Sequence, residues 1–349
     1  MLHLVGRGDS KVFGITSAER LTRQLGSSND HVVAQANAVL DDLALEWILA
    51  HPGTVLASAE GTPLAIAVEQ QQFFSSAAVS LLDPSYPVVR ATEAGELYIR
   101  KLRRRSEPLA LALGEMAASQ AERLLFASVY KGVTDAVTKW VWPVPAYFAT
   151  KIASVIGIKP NVVTVAGLIL TVLAGWLFFV GAIQLGLIAA WSMTFLDTVD
   201  GKLARVTVTS SKAGNWLDHG NDVVHPPLWW ICLAHGLAIN DPASAHLIWS
   251  ECWIILAAYI IGRAVEISFH VLFGFNAFLF TPLDSAFRLI VARRNILLLI
   301  MTTGVLVAHP ENAFLACAWW AGVSSMIQVI RIIQARLCFN KGTLAPWLA

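Results

Sequence analysis

Asp197, Asp200, Asp218 and Asp222 are the side chains in this sequence whose type and spacing most directly imply chemistry. They interrupt long apolar stretches, where one central Asp costs about 2.5–3.5 kcal/mol, so each demands a compensating partner. Asp197, Asp200 and Ala204 share one helical face through steps of three and four residues, and Gly214, Asp218 and Asp222 share another through two steps of four. Two carboxylate stripes can therefore face each other, and Gly201, Ala204 and Gly214 let backbones or a ligand approach closely. Four convergent carboxylates repel unless a cation lies between them, and an all-oxygen donor set favours a hard divalent ion such as magnesium, calcium or manganese. A buried ion-pair network with Lys202 and Arg205, or an ion path, is the alternative use of the same residues.

The elements that must position these stripes are membrane helices. Of 349 residues, 56% are hydrophobic and 14% charged, where a soluble protein carries about a quarter charged. Twenty-five Lys and Arg against 24 Asp and Glu leave a net charge of +1, which argues against a global basic field for nucleic acid and against an acidic disordered tail. Cys232, Cys252, Cys317 and Cys338 stand singly, so neither a zinc cage nor a disulfide framework is indicated. Residues 160–196 lack any Asp, Glu, Lys or Arg, enough for one bilayer crossing and most of a second. Uncharged stretches further on extend the prediction to six spans, near 160–180, 184–206, 214–239, 248–273, 294–309 and 312–337.

Arg7, Asp9 and Lys11 argue against a cleavable signal peptide and predict a cytosolic N-terminal region. With that orientation the external loops carry no Lys or Arg, while Lys202, Arg205, Lys212, Arg288, Arg293, Arg294, Arg331, Arg336 and Lys341 fall inside. Before the first span, Leu125, Phe126, Val129, Val133, Val137, Trp140 and Val141 recur at helical spacing among charges, which predicts an interfacial amphipathic helix; a plain linker helix is the alternative. Pro143 and Pro145 mark a break before a short helix ending at Gly157. Residues 1–120 read as a small cytosolic α/β domain, with strands at Val12–Ile15, Val32–Ala36, Thr54–Ala57 and Pro63–Val68, and helices at Ser17–Leu25, capped by Ser17, and Asp41–Leu49. The expected organisation is thus a mainly α protein: an α/β domain (1–120), juxtamembrane helices (121–159) and a six-helix bundle (160–340).

In full, the aspartate pattern is Asp197-x2-Asp200-Gly201-x2-Ala204-Arg205-x8-Gly214-x3-Asp218-x3-Asp222. It resembles, position for position, the signature of the CDP-alcohol phosphotransferases. That resemblance implies a membrane enzyme that moves a substituted phosphoryl group from a CDP-linked donor to an acceptor alcohol and releases CMP. It implies metal ligation by Asp197, Asp200 and Asp218, with Asp222 a further metal ligand or the base that takes the acceptor proton, and with Asp218 and Asp222 catalytic. Gly201, Ala204, Arg205 and Gly214 would line the cytidine and diphosphate site. Mg2+ or Mn2+ and a homodimer are also implied. The chemistry suits the residues: alcohol attack on a pyrophosphate phosphorus builds charge that a divalent clamp stabilises, and a carboxylate within reach takes the hydroxyl proton.

Tyr130-Lys131-Gly132-Val133-Thr134-Asp135, Lys159-Pro160-Asn161-Val162-Val163-Thr164 and Ser211-Lys212 further resemble the branch containing the di-myo-inositol phosphate phosphate synthases. Inositol phosphate is the acceptor this branch implies. A phosphorylated acceptor needs a second basic pocket, for which Lys131, Lys139, Lys151, Lys212, Arg263, Arg293 and Arg331 are candidates, each with snorkelling or inward-facing charge as the alternative. Arg263 and Arg331 are the stronger because they lie in otherwise uncharged spans. Glu266 stands one turn from Arg263 and can pair with it. His219 and His225 adjoin the second aspartate stripe and read as supporting or packing residues. The front domain resembles a shortened nucleotidyltransferase whose Gly6–Lys11 loop and Asn37 depart from the catalytic pattern, which predicts a non-catalytic remnant. Lys101-Leu102-Arg103-Arg104-Arg105 can attract anionic lipid or form a solvated face; nucleic-acid binding is not expected. A phospholipid synthase using CDP-diacylglycerol is the rival within the enzyme class, and an ion-coupled transporter the rival outside it.

Overall fold

The computed structural model describes residues 1–26, 31–68, 81–210, 212–339 and 344–349, with backbone alone at 212, 213 and 215–219. The chain divides into two compact units, one of residues 1–132, 147–160 and 201–210, the other of 133–146, 161–200 and 211–349.

The first unit begins β1 (Leu2–Val5), β2 (Lys11–Val12), β3 (Ile15–Thr16), α1 (Ser17–Leu25), β4 (His31–Gln35), β5 (Ala38–Leu40) and α2 (Asp42–Ala50). It continues β6 (Val55–Ala57), β7 (Pro63–Val68), β8 (Val88–Arg90), β9 (Leu97–Ile99), β10 (Arg104–Ser106), β11 (Ala110–Ala112) and α3 (Ala118–Ser128). Among the described residues a five-stranded mixed sheet runs β1-β4-β7-β6-β8, with β1 parallel to β4 and β6 parallel to β8. Val32, Ala34, Leu56, Leu64 and Ala65 of this sheet pack with Leu21, Leu25, Ala44 and Ile48 of the helices. The predicted strand at Val12–Ile15 is instead a tight hairpin, because Phe13 (φ 49°) and Gly14 (φ 74°) turn the chain. Phe13 is wholly buried against Phe126 and Tyr147, at ring distances of 6.3 and 6.2 Å. Glu122 accepts from the Phe13 N–H at 3.1 Å and pairs with Lys151 at 2.7 Å. The cap of α1 is Thr16, which accepts from Glu19 N–H, while Ser17 donates to the Ala36 carbonyl. Gly8 is packed so tightly that a Cβ would lie 1.9 Å from the Ala36 carbonyl oxygen, a steric reason for glycine there.

Asp41 caps α2, its Oδ1 accepting from Ala44 N–H at 2.8 Å and Leu109 N–H at 3.1 Å. Burial outweighs these bonds and pushes the carboxyl from 3.8 up to about 6. The folded state therefore holds this proton more tightly than the unfolded chain. The resulting stability is complete below about pH 3.8 and is lost as pH rises to about 6. Asp41→Asn keeps both acceptor contacts without a charge, so it should stabilise this domain by about 1–3 kcal/mol at pH 7.5 and flatten its stability between pH 4 and 6. Asp41→Ala should instead cost about 1–2 kcal/mol through the lost cap. Denaturation curves across that pH range decide the matter, and an Asn variant weaker than the parent at pH 7.5 contradicts the argument.

The remaining helices are α4 (Pro143–Ile156), α5 (Pro160–Phe179), α6 (Ile183–Val206), α7 (Lys212–Asn240), α8 (Ala245–Phe273), α9 (Pro282–Phe287), α10 (Arg294–Leu306) and α11 (Pro310–Phe339). Helices thus occur at all six predicted span positions. Among the described residues, three segments are long and apolar enough to cross a membrane: Pro160–Phe179, Pro242–Phe273 and Pro310–Phe339. The continuous amphipathic helix expected across Leu125–Val141 is broken. α3 ends at Ser128, and a π-type turn at Val137–Val141 precedes α4. Gly132 leaves helical geometry to give its N–H to the Leu102 carbonyl at 2.8 Å, and Asp135 starts the next turn by accepting from Thr138 N–H at 3.0 Å.

In the second unit, Ala174, Phe178, Ile183, Leu187, Ala190, Met193, Trp229, Leu233, Leu237, Ile248, Leu298 and Phe314 belong to one core. Small residues allow close helix approach: a Cβ on Gly236 would meet the Phe178 carbonyl oxygen at 1.9 Å. Trp229 Nε1 donates to the Thr171 carbonyl at 2.9 Å, so its indole is satisfied at depth. Pro226 and Pro227 lie inside α7. Pro227 cannot donate to the Val223 carbonyl four residues back, and the Tyr259 hydroxyl of α8 donates to it instead at 2.8 Å.

Candidate active site

α6 and α7 bring carboxylates from the two stripes onto one cation, and that cation belongs to the protein. Arg294, the first residue of α10, gives one guanidinium nitrogen to Asp197 Oδ2 and the other to Asp222 Oδ1, the latter at 3.0 Å. The planar fork suits two acceptors on neighbouring helices. Asp222 remains half exposed, at 49% of its side chain. Asp200 is buried and accepts from Thr164 Oγ1 of α5 at 2.7 Å. His225 is buried, its Nδ1 2.6 Å from the Asn221 carbonyl and its Nε2 3.4 Å from Arg294 Nη1. Facing a guanidinium, Nε2 serves as acceptor, which assigns the proton to Nδ1.

Asp218 and His219 lie on α7, but their side chains fall outside the described residues, as does Lys212's; Ser211 lies outside them altogether. Among the described residues no group of three or more His, Cys, Asp or Glu gathers as a metal cage. The available donor chemistry still suits a hard cation: carboxylate oxygens of Asp197 and Asp222 already converge on a positive charge. A small cavity beside them is lined by Thr164, Gly167, Met193, Asp197, Asp200 and Asn221. Gly214 opens the first turn of α7. Gly201, Ala204 and Arg205 occupy the last turns of α6 and fall in the first unit, where a Cβ on Gly201 would lie 3.4 Å from Arg205 Nη2. Lys202 is buried, donating to the Val129 carbonyl at 3.3 Å, with its ammonium 3.4 Å from the Tyr130 ring centroid.

A larger cleft, about 900 Å³ counting its open mouth, has Asp222 and Arg294 in its wall together with Arg263, Glu266, Arg288 and Arg293. Glu266 pairs with Arg293 and lies 3.5 Å from Arg263. Burial pushes the Asp135 carboxyl up, but the Arg288 charge with the Asn295 and Thr138 hydrogen bonds outweighs it and holds Asp135 below the usual range. The amide oxygens of Asn295 and Gln328, both in the lining, are buried and have no hydrogen-bond partner among the described residues. Four arginines against three carboxylates make the lining basic. Arg331, expected here from sequence, is absent from that lining and is instead tied to Asp284 by bonds of 2.6 and 2.7 Å. Arg293, a candidate for the basic pocket from sequence, does line the cleft, whereas Arg288 and Arg294 were legible only as inward-facing positive charge, and Thr164 gave no signal beyond its place in a family-like segment.

Residues 158–330 match the family model described as CDP-alcohol phosphatidyltransferase. Over 64 residues, 18% of this chain, the sequence is 44% identical to the archaetidylinositol phosphate synthase of Pyrococcus horikoshii and covers 34% of it. The chain thus spans about a third of the length of the curated relative it matches. The crystal structure of phosphatidylinositol phosphate synthase from Mycobacterium tuberculosis, with CDP-DAG bound, aligns with a TM-score of 0.39 at 21% identity, over 53% of this chain and 90% of that one. With the eight-residue motif intact from Asp197 to Asp222 and the match extending over 158–330, the chain belongs to the CDP-alcohol phosphatidyltransferase family.

Proposed function

We propose that the protein transfers a substituted phosphoryl group from a CDP-alcohol to the hydroxyl of a phosphorylated polyol, of which inositol phosphate is the type. The observation that carries this reading is the convergence of Asp197 and Asp222 on Arg294 at the edge of an arginine-rich cleft. The name of the Pyrococcus horikoshii relative supports an inositol phosphate acceptor. The helices at the six predicted span positions would form the membrane bundle, with the 13-residue α10 relying on its neighbours to complete its crossing, the N-terminal domain and the active site cytosolic and the chain a homodimer.

In this mechanism the acceptor oxygen attacks the donor phosphorus that bears the alcohol, and the bridging P–O bond breaks. CMP leaves with the electron pair, and Asp222 takes the acceptor proton, for which its half-exposed position beside the cleft is suited. Asp200, fixed by Thr164, is suited to ligation rather than to proton transfer. The family generally uses a divalent metal. Asp197, Asp200, Asp218 and Asp222 would hold Mg2+ or Mn2+, which supplies charge stabilisation at the phosphate oxygens. By motif, Gly201, Ala204, Arg205 and Gly214 serve the cytidine diphosphate end. Arg263, Arg288 and Arg293 receive the acceptor phosphate, a task for planar donor forks.

Purified protein incubated in turn with CDP-diacylglycerol and CDP-inositol, each with inositol phosphate, inositol or glycerol phosphate, should release CMP and favour the phosphorylated polyol. No CMP with any pairing in the presence of Mg2+ or Mn2+ overturns the reaction. CDP-diacylglycerol as the sole active donor marks a phospholipid synthase. Arg263→Met should raise KM for the phosphorylated acceptor by about 10–100-fold, the worth of one charge-assisted contact, and leave donor KM unchanged. Equal KM values for parent and variant would remove Arg263 from the acceptor site.

A further inference from the structure

The C-terminal end of α6 depends on bonds that its own segment does not supply. Thr209 N–H reaches the Ala204 carbonyl at 2.9 Å and Val208 N–H the Arg205 carbonyl at 3.4 Å, the paired bonds of a Schellman cap. That cap needs a left-handed residue, normally glycine, and here Val208 adopts φ 53°. A β-branched residue enters this region only when its surroundings hold it there. The cap satisfies the carbonyls of Ala204 and Arg205 and leaves those of Val206 and Thr207 to find donors elsewhere. α1 supplies both: Arg20 Nη2 donates to the Val206 carbonyl and Arg23 Nη1 to that of Thr207 at 2.7 Å. Three residues apart, the two arginines share one face of α1, and Arg20 is only 1% exposed. Their charges also oppose the negative end of the helix dipole. One turn earlier, buried Lys202 is held by the Val129 carbonyl and the Tyr130 ring.

We infer that the N-terminal domain clamps the motif helix, with Arg20 and Arg23 acting as positioning residues that hold Gly201, Ala204 and Arg205 in place for the CDP-linked donor. The inference rests on the transfer reaction proposed above. It gives the domain a use that needs no nucleotidyl transfer of its own: without the two guanidiniums the strained Val208 cap opens, the last turn of α6 frays, and Arg205 loses its fixed direction.

Full-length Arg20→Met, Arg23→Met and Arg20→Lys chains in lipid nanodiscs, beside the parent, test the clamp through amide hydrogen exchange and steady-state CMP release. Arg20→Met should speed exchange at Thr207, Val208 and Thr209 at least tenfold while strands β4 and β7 keep their protection. It should raise donor KM about tenfold with acceptor KM unchanged, and Arg20→Lys should recover most of both effects. Unchanged exchange and unchanged donor KM in a folded Arg20→Met chain overturn the clamp. Should β4 and β7 also lose protection, Arg23→Met decides by the same two readouts, because its bond lies nearer the surface. A parent that releases no CMP refutes the reaction and not the clamp, which exchange at 207–209 then supports or overturns by itself.

Discussion

Replacing Asp222 by Asn is expected to cut CMP release by about 10³-fold, within the usual worth of a positioned general base, in a protein that still folds and still binds the donor. Asn preserves the size of the side chain and an acceptor oxygen for Arg294, whose Nη1 lies 3.0 Å from Asp222 Oδ1, so packing is retained while the proton acceptor is lost. Exposure separates this residue from its neighbours. Asp200 is 7% exposed and held by Thr164, whereas 49% of the Asp222 side chain is open beside the cleft. Asp200→Asn should therefore weaken metal dependence first, while Asp222→Asn should lower kcat with little change in donor KM. Turnover of Asp222→Asn within threefold of the parent would assign the proton to another group.

Much of this arrangement was legible because it is local. The 3.6-residue period and the cost of a membrane carboxylate are enough to pair Asp197 with Asp200 on one face and Gly214 with Asp222 on another. Helix Ser17–Leu25 and strand Pro63–Val68 likewise fall where their patterns predict. What escaped is the choice of long-range partner. Arg294 lies 97 residues from Asp197 and 72 from Asp222 in sequence, and at the head of an apolar segment it reads as ordinary inward-facing charge. Arg331, conspicuous in an uncharged run, is neutralised by Asp284 at 47 residues' distance, in a segment that periodicity left unassigned. The break after Ser128 was hidden for a related reason: apolar spacing continues through Val133 and Val137, but Gly132 is drawn off by the Leu102 carbonyl, a contact that no local pattern encodes.

Arg294→Met should lower the melting temperature by about 6–12 °C in EDTA, and Mg2+ should restore a large part of the loss. Breaking a desolvated ion pair by deleting one partner costs about 3–5 kcal/mol, and the half-exposed Asp222 places this site near the lower figure. For a unit of this size 1 kcal/mol corresponds to about 2–4 °C. The penalty falls on the carboxylates left behind: Asp197 and Asp222 lose the charge on which they converge. A divalent ion that binds only the folded state recovers stability by mass action, so Mg2+ should raise the melting temperature of the variant more than that of the parent. Arg294→Lys separates charge from geometry, since an ammonium keeps the positive charge without the fork that spans two helices; it should recover part of the EDTA stability. If Arg294→Met melts with the parent in EDTA, the guanidinium is not what holds the carboxylates together. If it is destabilised but indifferent to Mg2+, Mn2+ and Ca2+, the aspartates form an ion-pair network and not a divalent-metal site.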